Sequence, residues 1–207
     1  QIIKFGLYGL FKNLKFFEPF LWLYFLMSGM SLFHIGLLYS VRETIIYIFE
    51  IPSGVFADRF GKKNELILCF LFYISSFIVF FFADAFIIFL LAMVLFGFGE
   101  ALRSGTHKAM IMEYLDKHEI KDRKSKVYGL TRSYSNLGAM ISSLGAIVLI
   151  LFEVKIEYLF LIAIIPYTVD LLLITSYPKY LNNKLDTTFT MKSFMIENVR
   201  SIKYVFS

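Results

Sequence analysis

Long runs of apolar residues dominate the pattern of this chain. Six can be marked, at roughly residues 11–30, 35–57, 65–83, 86–105, 127–151 and 158–177. Each approaches or exceeds the roughly 20 residues that an α-helix needs to cross the hydrocarbon core of a bilayer. None shows the period-two alternation of an outer-membrane barrel strand. The third is the cleanest, with Glu65 at its edge as its single charge. The first is the most crowded, because Lys12, Lys15, Glu18 and Pro19 stand at its start. A proline is tolerated in the first turn of a helix, where its missing N–H would have had no partner. The pattern predicts an all-α integral membrane protein with six transmembrane helices.

Composition agrees and narrows the alternatives. The chain is 58% hydrophobic and 18% charged, against about 45–50% and about 25% in soluble domains. That excludes a soluble globular domain and a disordered segment. The single cysteine, Cys69, excludes an internal disulfide framework. His34, His107 and His118 have no metal-ligand spacing with one another or with Cys69. Neither a His-Glu-x-x-His nor a Gly-x-Ser-x-Gly pattern occurs, and no glycine-rich phosphate loop is present. No enzyme activity, metal, cofactor or ATP use is expected.

The 21 lysines and arginines decide orientation. With a cytoplasmic N-terminus, the far-side loops 31–34, 84–85 and 152–157 contain one basic residue, Lys155. The near side holds Arg59, Lys62, Lys63, Lys108, Lys117, Lys121, Arg123, Lys124 and Lys126, and the tail adds Lys179, Lys184, Lys192, Arg200 and Lys203. This asymmetry follows the positive-inside rule and puts both termini in the cytoplasm. The run from Lys117 to Lys126 is interleaved with Asp116, Glu119 and Asp122, so it reads as a solvated loop beside anionic lipid, with no nucleic-acid role. After Pro178 the chain turns polar, with Asn182, Asn183, Thr187 and Thr188. Residues 1–178 therefore read as a transmembrane bundle and 179–207 as a cytoplasmic linker.

Between the second and third spans stands Gly54-Val55-Phe56-Ala57-Asp58-Arg59-Phe60-Gly61-Lys62-Lys63. Gly54 has no side chain, which lets another helix approach closely. Gly61 can adopt the positive φ of a tight turn between helices, and Lys62 and Lys63 anchor the loop at the membrane surface. Asp58 is an acid among bases and needs a partner. That partner is either a neighbour, Arg59 or Lys62, or the N-terminus of another helix, whose free N–H groups and dipole stabilise a carboxylate.

The segment resembles, at every fixed position, the signature loop of the major facilitator superfamily, Gly-x-x-x-Asp-Arg-x-Gly-Arg/Lys-Arg/Lys, and lies where that family places it. Glu50-Ile51-Pro52-Ser53-Gly54 and Gly97-Phe98-Gly99-Glu100-Ala101-Leu102-Arg103-Ser104-Gly105 extend the likeness to a bacterial branch of the family. The resemblance implies two inverted three-helix repeats forming the N-terminal half of a secondary transporter. That transporter would sit in a bacterial inner membrane and move a small solute by alternating access. The partner would be a C-terminal six-helix half, and Asp58 would latch the cytoplasmic side against it. A proton is the default coupling ion, although Met93 stands where the family often has an arginine tied to proton coupling, and the fifth span lacks the Gly-Pro pattern of drug/proton antiporters. The rival reading is a transporter-derived sensor or binding protein that moves no solute. A channel fits less well, since no filter-like segment is visible.

Ionisable residues inside spans cost about 2.5–3.5 kcal/mol each on insertion scales and face the interior or a wet cavity. Here they are Arg42, Glu43, Glu50, Glu100, Arg103, Arg132 and Asp170. At about 1.5 Å per residue, Glu50, Glu100, Arg103 and Arg132 share the cytoplasmic third, which predicts one charge cluster, most simply a structural one. Arg42, Glu43 and Arg132, with Asn136 one turn deeper, are the candidates for substrate or proton contacts, the arginines for an anionic substrate. Asp170, one turn after Pro166, is expected to make a buried hydrogen bond.

Overall fold

In the computed structural model, which describes residues 1–182, the chain is helical, with no strand among the described residues. The α-helices are α1 (Ile2–Lys12), α2 (Leu21–Met27), α3 (Leu32–Phe60), α4 (Lys62–Phe81), α5 (Phe86–Arg103), α6 (Thr106–Lys117), α7 (Lys124–Leu151) and α8 (Ile156–Thr175). Five of them, α3, α4, α5, α7 and α8, include stretches long and apolar enough to cross a membrane. Their positions match the second to sixth apolar runs to within a few residues.

The sixth crossing is a broken one. Lys4 Nζ donates to the Ser176 carbonyl at 3.2 Å, and Lys63 Nζ donates to the Thr175 carbonyl at 2.5 Å. Residue 4 therefore lies at the same end of the bundle as the start of α4. Tyr24, in contrast, donates its hydroxyl to the Phe80 carbonyl at 2.9 Å, at the opposite end of α4. The seventeen residue steps from Lys63 to Phe80 rise about 26 Å in a helix, and the α1–α2 segment covers that length.

Between the two helices the ladder stops at Asn13, whose side-chain amide donates to the Gly9 carbonyl at 2.6 Å. It restarts through the short 3₁₀ turn Glu18–Phe20, which contains Pro19. The expected first span, 11–30, is thus corrected: the crossing begins near Ile2, and Lys12, Lys15, Glu18 and Pro19 lie in its middle. Of the charges that marked a boundary by composition, Lys15 is buried, and Glu100, 85 residues further on, reaches it at 3.4 Å.

The principal neighbours are α4 with α5 and α8, α3 with α5, and α1 with α7 and α8. Exchanging the α1–α2 segment with α5, α3 with α7, and α4 with α8 maps this set of neighbours onto itself. A unit of three crossings ends on the side opposite its start, so the second unit enters upside down and the two repeats are inverted.

Aromatic rings fill the centre: Phe160 stacks on Phe17 at 4.7 Å and on Phe80 at 4.8 Å between ring centroids. Helices α1 and α7 cross backbone to backbone, since a Cβ built on Gly138 would land on the Leu10 carbonyl oxygen. Small residues allow such close crossings where lipid offers no hydrophobic drive.

One element was not legible. After Gly105, at a φ of 76°, the chain turns into α6, which buries Met110, Ile111 and Leu115 and packs on α4. The basic connection after it is exposed, as expected.

Candidate functional site

The motif forms the corner between α3 and α4. Gly61 closes α3 by donating its N–H to the Ala57 carbonyl at 2.8 Å, and its φ of 97° turns the chain directly into α4. The two half-buried lysines that follow are each engaged by another element of the bundle. Lys62 pairs with Glu113 of α6 at 2.7 Å. Lys63 donates to the carbonyls of Thr175 and, at 3.0 Å, of Tyr177, beyond the end of α8.

Arg59 is exposed, its guanidinium 5.6 Å from the Phe60 ring centroid. Asp58 is half-buried and makes no ion pair with any described residue. Pairing with Arg59 or Lys62, the local alternative, is therefore not made. Gly54 also departs from expectation: a Cβ there would meet nothing within 4 Å, so no described helix approaches it.

Two contacts that sequence reasoning missed complete the corner. The Asn182 side-chain oxygen accepts from the backbone N–H of Lys63 at 3.0 Å and of Asn64 at 3.2 Å. Glu65, fully buried, accepts the Thr106 hydroxyl at 2.6 Å and so ties the start of α6 to α4. Tyr177 is buried as well.

The expected charge cluster is only partly assembled. Glu100 and Arg103, one turn apart on α5, are bonded to each other, and Arg103 also meets the Tyr73 hydroxyl of α4 at 3.2 Å. The further member is Lys15 from the break in the first crossing, 3.4 Å from Glu100. Glu50 is not a member: it is exposed in this bundle and accepts the Ser104 hydroxyl at 2.6 Å. Arg132 is not a member either, being exposed on α7 with no ion pair to a described residue. Depth alone had grouped them. Glu50 and Arg132 were expected at the level of the cluster but are exposed on α3 and α7, and neither pairs with a member of it.

Arg42 is held by its neighbour Glu43 at 2.5 Å and lies over the Tyr39 ring at 4.7 Å. Asn136 is exposed one turn beyond Arg132 on α7. Asp170 is fully buried and faces the Lys12 backbone, a looser contact than a hydrogen bond of normal geometry.

Comparison with known proteins converges on one family. The sequence model described as Major Facilitator Superfamily matches residues 7–197. The uncharacterized MFS-type transporter YxaM of Bacillus subtilis (strain 168) is 29% identical over 151 residues, covering 73% of this chain and 36% of that protein. Two solved structures share the fold. One is the peptide transporter POT in complex with sulfate, with a TM-score of 0.72 and 16% identity. The other is a mutant of that transporter, also with sulfate, with a TM-score of 0.73 and 14% identity. Each match covers 99% of this chain and 44% of the other. The chain thus spans less than half the length of the relatives it matches. With the signature corner in place, the inverted three-helix repeats formed and a family match running from the first helix past the last, this chain belongs to the Major Facilitator Superfamily.

Proposed function

We propose that this bundle is the N-terminal half of a secondary active transporter that moves a small solute across a bacterial inner membrane by alternating access. In this reading the corner carrying Asp58 faces the cytoplasm, as the distribution of basic residues requires. A second six-helix bundle docks against the faces of α3 and α7 that expose apolar side chains such as Ile48, Met140 and Leu144. The relative from Bacillus subtilis leaves room for it, since the matched stretch is 36% of its length.

The observation that carries the reading is the state of Asp58. Lys62 is committed to Glu113, Lys63 to the carbonyls beyond α8, and Arg59 lies against Phe60. The motif's acid is left half-buried among cations that are already engaged. A carboxylate in that position is matched by the N-terminal N–H groups of a helix from the other half, which would hold the cytoplasmic side shut. Arg132 and Asn136 on α7, with Arg42 and Glu43 on α3, supply the polar positions for solute near the midplane. The coupling ion in this reading is the proton.

Replacing Asp58 by Asn nearly preserves shape while removing the charge. Asp58→Asn in the two-half transporter should keep its thermal stability in detergent and yet populate the cytoplasm-open state more. Cysteines placed along the corner should then react faster with a maleimide from the cytoplasmic side. Unchanged cytoplasmic reactivity would show that Asp58 does not act as a latch.

A further inference from the structure

Two helix ends separated by more than a hundred residues cap each other at the motif corner. Helix α4 begins at Lys62, so Lys63 and Asn64 are its second and third residues, the two whose N–H groups an N-cap side chain satisfies. The residue in the cap position is Gly61, which has no side chain to offer. Asn182 supplies the acceptor instead, at 3.0 and 3.2 Å from those two nitrogens. In return, Lys63 sends its ammonium to the carbonyls of Thr175 and Tyr177, at the end of α8 where the helix dipole favours a cation.

The strap between these caps is seated along its length. Lys4 Nζ donates to the Ser176 carbonyl and hydroxyl, Tyr177 and Leu181 are buried, and the Lys117 ammonium lies 3.7 Å from the Tyr180 ring centroid. A Cβ on Gly61 would land on the Asn182 side-chain oxygen. The motif glycine therefore serves two ends here: it adopts the positive φ, and it leaves the space that Asn182 fills.

We infer that Asn182 is a positioning residue for the gating corner. It completes the start of α4 from the far end of the described chain and fixes the turn at Gly61, and so sets the direction in which Asp58, three residues earlier, is presented. The inference rests on the latch reading of Asp58 for its consequence, but the cap itself does not.

The test is made in the two-half transporter with two readouts. The first is hydrogen exchange at the amides of Lys63 and Asn64. Asn182→Ala should speed it about five- to tenfold, the change that loss of one cap corresponds to. Asn182→Asp, which keeps an acceptor and adds a charge favoured at a helix N-terminus, should restore protection. The second is cytoplasmic maleimide reactivity of a cysteine on the corner. Asn182→Ala should raise it in the same direction as Asp58→Asn and add nothing in the Asp58→Asn background, whereas a merely structural cap would add its effect independently.

Should Asn182→Ala not fold, Asn182→Gln, which carries the acceptor out of reach by one methylene, is expected to give the same two results. Unchanged exchange at Lys63 and Asn64 would overturn the cap. Faster exchange with unchanged corner reactivity, where Asp58→Asn does alter it, would overturn the positioning role and leave the latch standing. If Asp58→Asn itself alters nothing, the latch reading falls, and with it the positioning consequence, while the exchange result still decides the cap.

Discussion

Glu100→Gln should destabilise the bundle by about 3 kcal/mol, seen as a lowered unfolding transition in detergent. Glu100 is the acid between two cations, Arg103 bonded to it one turn away and Lys15 at 3.4 Å. Removing its charge leaves Arg103 with no ion pair to a described residue and Lys15 with only the exposed Glu18, 3.6 Å away. Loss of one partner of a buried pair typically costs about 3–5 kcal/mol. The lower end applies because the Arg103 side chain keeps 28% of its exposure while Glu100 keeps 15%. Lys15→Met in the Glu100→Gln background should recover part of the loss, since it removes one of the stranded charges, and a double-mutant cycle isolates that term. Glu50→Gln provides the contrast. Glu50 is exposed and accepts a single hydroxyl, so its loss should stay near about 1 kcal/mol. Equal losses for Glu50→Gln and Glu100→Gln would mean that the two acids share one cluster after all.

Gly138→Val should be comparably disruptive for a different reason. Its Cβ would land on the Leu10 carbonyl oxygen, a backbone atom that cannot rotate away, so α1 would have to lift off α7. Overpacking typically costs about 1–3 kcal/mol, and the upper end is expected when the obstacle is backbone. Gly54→Ala is the control, because a Cβ there meets nothing within 4 Å in this bundle. In a helix interior that change is expected to stabilise by about 0.5–1 kcal/mol. Thermal unfolding of both variants decides the matter: a Gly138→Val bundle as stable as wild type would mean that α1 and α7 do not cross at that point.

The five continuous crossings were legible because each is a long apolar run whose few interior charges do not interrupt it. The first was misjudged because Lys12 and Lys15 sit in the middle of a crossing, and a local window reads a charge as an edge. What makes Lys15 tolerable there is Glu100, whose contribution lies 85 residues away.

The candidate site divides along the same line. The turn at Gly61 and the singular acid Asp58 were readable from spacing and residue type. The Asn182 cap was not, because it comes from a stretch whose composition reads as linker. Glu50 and Arg132 were grouped with Glu100 by depth, and depth carries no information about which way a helix face points. The folded bundle leaves both exposed and outside the group of Lys15, Glu100 and Arg103.

The central claim is that this half opens alternately to the two sides of the membrane, and Asn136 tests it most directly. It lies twelve residues into α7, about 18 Å from that helix's start, and is exposed in this bundle. The measurement is the reaction rate of an impermeant maleimide with Asn136→Cys in the two-half transporter, applied from either side. The background is Cys69→Ser, which removes the buried native thiol, and Lys121→Cys on the basic connection serves as the control that reacts from the cytoplasmic side alone. The account predicts labelling of Asn136→Cys from both sides. Labelling from one side only, or from neither, would contradict it.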